Sequence, residues 1–172
     1  MNLLPSEQFV VETSATPTMV HDTLAGSIEP RRWLPATADH KVFHGTLTPY
    51  GFEVRRVIDY QNSFLPVITG LIRATSAGSS VGIRMTLSPL VVLFGALWLG
   101  FVALTCVGVL IATVSGVVGL HPAQLVPFAL LVLAPTFVWG NFRHEVKVTK
   151  PILIALLARL DRNDATLRPD PP

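Results

Sequence analysis

The chain has 172 residues, half of them hydrophobic, and a mean hydropathy of +0.52, values of a membrane class with room for one modest soluble domain. Residues 1–84 carry seven basic and seven acidic side chains, 85–142 carry none, and 143–172 carry six basic and four acidic, so the net charge of +2 arises in the last segment. That distribution excludes the clustered Lys/Arg footprint of a nucleic-acid binder, and a lone cysteine excludes an internal disulfide framework.

Residues 1–7 read as a polar lead-in, without the basic and apolar regions of a secretory signal. The β-branched and aromatic run at 8–14, with Phe9, Val10, Val11 and Thr13, predicts a strand. Thr16 followed by Pro17 is a helix start, and Val20, Leu24 and Ile28, extended by Met19, give a short amphipathic helix that ends before Pro30. Residues 31–40 are a loop, and 41–48 alternate in part as a strand. After the turn at Pro49-Tyr50-Gly51, Phe52, Val54, Arg56, Ile58 and Tyr60 fall on one face of a further strand, although Arg56 interrupts its apolar row. A polar corner, Gln61-Asn62-Ser63, leads into Phe64-Leu65-Pro66 and a strand at 67–74. Ala77-Gly78-Ser79-Ser80 is a hairpin turn, and Val81, Ile83, Met85 and Leu87 line one face of the last strand.

Two apolar runs follow. A membrane-spanning helix needs about 20 mostly apolar residues, and both runs, at 89–114 and 122–142, meet that length. Ser88-Pro89 offers an N-cap and a first-turn proline. Pro135 lies inside the second run and predicts a kink, while Cys106, inside the first, reads as a small apolar filler. Trp98 and Trp139 are placed towards one leaflet interface. Ala96, Gly100, Gly108, Ala112 and Gly116 form a small-residue face for close helix packing, against the second span or against a second copy in a homo-oligomer.

Beyond the spans, Val146, Thr149, Leu153, Leu156, Leu157 and Leu160 keep helical spacing, with a helix start at Thr149 and Pro151. This stripe suits either the front sheet or the bilayer surface. The expected organisation is an α+β membrane protein. A small antiparallel-sheet domain with one helix spans 1–87, a transmembrane hairpin 88–142, a C-terminal amphipathic helix 143–162, and a disordered tail 163–172. Arg73, Arg84, Arg143, Lys147 and Lys150 flank the hairpin while its loop has no basic residue, so the positive-inside rule puts both termini in the cytoplasm of a multi-pass inner (plasma) membrane protein.

The run from Ile58 to Gly70, containing Tyr60-Gln61-Asn62-Ser63-Phe64-Leu65-Pro66, resembles a motif of uncharacterised bacterial two-span membrane proteins. Those have an aromatic-Arg-Asn-Ser-Phe-Leu-Pro run, a glycine shortly after it and a strand ending in Met; Gln61 stands here in place of the Arg. The resemblance implies the two spans and brings no activity. The opening strand, Thr-Pro and helix are similar to the start of helix-grip lipid- and ligand-binding domains.

The most polar constellation is the corner, and Tyr60, Asn62, Ser63, Phe64 and Pro66 are the candidate binding residues, although Asn and Ser at such corners also bond their own backbone. His40 and His44 lack the helical spacing and further ligands of a metal site, Ser63 lacks a glycine elbow, and no phosphate loop is present, so no catalytic, metal or cofactor site is expected. The spans hold no ionisable path for transport. The function expected is a membrane-anchored binding or scaffolding module whose partner is membrane lipid or a protein. A helix-grip apolar-ligand binder with an internal cavity is the alternative, and an enzyme acting near Tyr60 and Ser63 is the third.

Overall fold

The computed structural model describes residues 4–30, 41–58, 62–119 and 121–167, with backbone alone for 30 and 161–167. The fold is mixed α/β. Strands β1 (Ser6–Thr13), β2 (Ile28–Pro30), β3 (Phe43–Thr48), β4 (Gly51–Arg56), β5 (Val67–Thr75) and β6 (Gly78–Thr86) form one sheet in the order β1-β6-β5-β4-β3-β2. The helices among the described residues are α1 (Pro17–Ser27), α2 (Pro89–Val114) and α3 (Val126–Leu167). Two helical stretches, Pro89–Val114 and Pro122–Leu160, are long and apolar enough to cross a membrane.

The sheet follows the alternation in the sequence. Val81, Ile83, Met85 and, just past β6, Leu87 are all buried, as are Phe52 and Val54 of β4. β1 closes antiparallel on β6, from Ser6 opposite Thr86 to Thr13 opposite Ser79, so the first strand lies beside the last. Two glycines make the close contacts possible. Gly78, at φ +141°, would put a Cβ 2.2 Å from the Thr13 carbonyl oxygen, and Gly70 leaves the space that the Phe52 ring occupies, 2.2 Å from where its Cβ would stand.

α1 starts as its sequence requires: the Thr16 hydroxyl accepts from the Met19 N–H at 3.4 Å, and Pro17 occupies the first turn. Its end differs from expectation. Ile28 leaves the helix and pairs in parallel with Phe43, so β2 adds a parallel edge to an otherwise antiparallel sheet. Ile28 is still buried, reaching the core from a strand instead of from the helical stripe.

β6 runs into α2 with only Leu87 and Ser88 between them, and Ser88 sits at the N-cap without a side-chain cap bond. α2 packs along α3 and buries Val102 and Cys106. The small-residue face does not make this contact: Ala96, Gly100 and Gly108 are exposed, and nothing lies within 4 Å of a Cβ built on either glycine. Gly116 belongs to the helix end instead. It adopts φ +69° just after the Ser115 cap, and the Val117 N–H donates back to the Ala112 carbonyl at 3.1 Å. A 3-10 turn, Pro122–Leu125, then leads into α3, and Gln124 steadies it by donating to the Gly119 carbonyl at 2.9 Å.

α3 corrects the expected organisation most. No break occurs near 142, no restart at Thr149–Pro151, and 163–167 continue the helix where a disordered tail was expected. Residues 168–172 lie outside the described residues. The helix passes through both Pro135 and Pro151. Proline removes one i→i−4 bond, and Pro151 and Lys147, whose carbonyl loses its partner, both lie on the exposed side, where water can satisfy that carbonyl. Residues 126–141 leave Val132, Leu133 and Phe137 exposed, whereas Phe142, Val146, Leu153, Leu157 and Leu160 are buried in one cluster with Val20, Leu24, Ile68, Val81 and Met85. The second half of α3 therefore packs beside α1 on the core face of the sheet.

Candidate functional site

The corner after β4 is where the sheet meets α3, and its chemistry centres on a residue of α3. Glu145 is 3% exposed and, among the described residues, accepts hydrogen bonds from the Arg56 Nη2 to its Oε2 at 2.7 Å and from the Asn62 Nδ2 to its Oε1 at 2.8 Å. Arg56 comes from the end of β4, on the face that also carries Phe52 and Val54. The residue that interrupts the apolar row of that strand is therefore the cation that meets a buried carboxylate. Ionised donors make such bonds shorter and stronger than neutral ones.

Asn62 uses both ends of its amide. While its nitrogen holds Glu145, its Oδ1 accepts from the Phe64 N–H at 2.9 Å, and the Leu65 N–H donates to the Asn62 carbonyl at 3.3 Å. This local turn is the behaviour expected of Asn in a corner. The Phe64 ring then meets Phe137 of α3 edge-on, with centroids 5.9 Å apart, while Leu65 and Pro66 are buried. The corner is thus clamped to α3 at two points, one apolar at Phe137 and one ionic at Glu145. One turn beyond Glu145, the Thr149 hydroxyl is fully buried with no hydrogen-bond partner among the described residues.

Of the residues expected to form the site, Asn62, Phe64 and Pro66 are directed into the fold, Ser63 is exposed, and Tyr60 lies outside the described residues. Glu145 and Arg56 were not among them. The available signal was Arg56 itself, because a charged residue on a core-facing strand position requires a buried partner. Among the described residues no group of three or more His, Cys, Asp or Glu could hold a metal ion. The cluster offers a carboxylate already held by Arg56 and Asn62, an arrangement suited to fixing geometry. The chain matches no family model and no curated protein.

Proposed function

We propose that the protein is a membrane-anchored binding or scaffolding module, whose α2 and the first half of α3 cross the bilayer and whose sheet stands in a fixed pose at the membrane surface with both termini in the cytoplasm. The observation that carries this reading is the continuity of α3. Its first half exposes apolar side chains such as Val132, Leu133 and Phe137, and its second half supplies Leu153 and Leu157 to the core of the sheet. Apolar exposure on this scale suits lipid rather than water.

The contacts at Glu145 and Phe64 support the scaffolding role by fixing the corner to the helix as it leaves its apolar half. A buried ion pair contributes little net stability, but it specifies register because each partner is penalised when alone. The helix-grip reading shares the element order, with an opening strand and helix, further strands and a long final helix on the sheet. Its ligand cavity is less well supported, since Leu24, Ile68, Val81, Leu153 and Leu157 occupy the space between sheet and helices, each no more than 1% exposed. An apolar groove of about 580 Å³ lies elsewhere, between the ends of α2 and α3 around Leu110, Leu125 and Phe128.

Photo-crosslinkers at Ser63, Leu71 and Thr75, all exposed, test the module in native membranes. A discrete protein adduct from one of these positions is expected. Equal, diffuse labelling from all three would contradict a specific binding surface.

A further inference from the structure

A second feature of α3 lies on the flank away from Glu145. At about 100° per residue, Arg143, Lys147 and Lys150 fall together on that flank. They form one wall of a groove of about 310 Å³, with Ser6 and Glu7 from the start of β1 opposite and Phe142 and Val146 among its lining. We propose that this groove holds the phosphate of an anionic phospholipid headgroup, with Arg143 and Lys147 as its cationic contacts. The proposal rests on the membrane reading above and adds a ligand to it.

Charge and position select this occupant. Lys150 is already engaged, its Nζ 2.7 Å from the Glu7 Oε1 and 4.8 Å from the Phe9 ring centroid. Arg143 and Lys147 have no carboxylate partner among the described residues, so the groove holds two uncompensated positive charges. The Arg143 guanidinium lies 5.2 Å from the centroid of the Trp139 ring. A guanidinium held by an aromatic ring keeps donors available for two-point recognition of a phosphate. Arg143 is also the first charged residue after the uncharged stretch 85–142. In a chain whose apolar helix half ends at Phe142, that places the groove at headgroup depth, and the aromatic ring of Trp139 is a residue type favoured there.

Native mass spectrometry of the full chain, in micelles doped equally with phosphatidylglycerol and phosphatidylcholine, reads the occupant directly. The unmodified protein is expected to retain phosphatidylglycerol preferentially. Arg143→Gln with Lys147→Gln should weaken that retention by roughly 25-fold, at roughly five-fold for each cation near a membrane surface. Arg73→Gln with Arg84→Gln, an equal loss of charge on the outer sheet face, should leave it unchanged. Lys147→Gln alone, expected to lose roughly five-fold, keeps the test readable if the double variant does not fold. The proposal is overturned if the groove variants retain phosphatidylglycerol as the unmodified protein does, or if the unmodified protein retains phosphatidylcholine equally. Alkaline carbonate extraction separates the two levels of the account. A protein that stays in the membrane without the lipid preference contradicts the headgroup site alone, whereas a protein released by carbonate contradicts the membrane reading and the site together.

Discussion

The two halves of α3 share one backbone and differ in everything around it. In 126–141 apolar side chains point outward in several directions, with Val132, Leu133 and Phe137 all more than half exposed. From Phe142 to Leu160 one stripe of apolar residues, Phe142, Val146, Leu153, Leu157 and Leu160, is buried, and Val148 and Ile154 stand outside it. A helix apolar all round matches an apolar surrounding, whereas an apolar stripe matches a core on one side and water on the other. The distribution of side chains along α3 therefore differs between its halves, and the change occurs within about one turn, between Phe142 and Glu145.

The largest expected effect is at that boundary. Glu145→Ala leaves Arg56 facing a buried site without its carboxylate and should destabilise the protein by about 3–5 kcal/mol, seen as lower unfolding temperature and faster amide exchange in β4 and β5. Adding Arg56→Met should restore much of that loss, because an apolar pair replaces a broken ionic one. A double variant no more stable than Glu145→Ala would show that the pair does not act as a unit.

Next in size is a direct contrast between the halves. Leu153→Ala opens a cavity in the core and should lower stability by about 2–5 kcal/mol. Leu133→Ala, at a position 62% exposed, should stay within about 0.5 kcal/mol in the same thermal unfolding assay in detergent. Equal losses at the two sites would erase the proposed difference.

Much of the sheet was legible because alternation reports directly on burial. Val81, Ile83, Met85 and Leu87 show it most plainly, and Thr16-Pro17 marks the start of α1 for equally local reasons. The parallel pairing of Ile28 with Phe43 was not legible, because it depends on a partner that follows the loop at 31–40. The corner was legible as a polar turn, yet its main partner was not: Glu145 lies 89 positions from Arg56 and 83 from Asn62, beyond any local pattern. Continuity of α3 was obscured by Pro151, since a proline preceded by Thr149 resembles a new helix start. The fold tolerates it because the proline faces outward, and Thr149 turns inward instead of capping.

The smallest expected effect uses that same threonine. Thr149→Val keeps the branched shape and removes a buried hydroxyl without a partner among the described residues, so it should raise stability by about 1 kcal/mol in the same unfolding assay. A loss of that size would mean that the hydroxyl is engaged in the folded protein.

The central claim is that the helix leaving the apolar region is part of the sheet's own core. Amide hydrogen exchange of the sheet, compared between the full chain in lipid nanodiscs and a chain ending at Thr149, tests it most directly. The account predicts that β1, β5 and β6 lose most of their protection when Leu153, Leu157 and Leu160 are removed. Unchanged protection in those strands would contradict it.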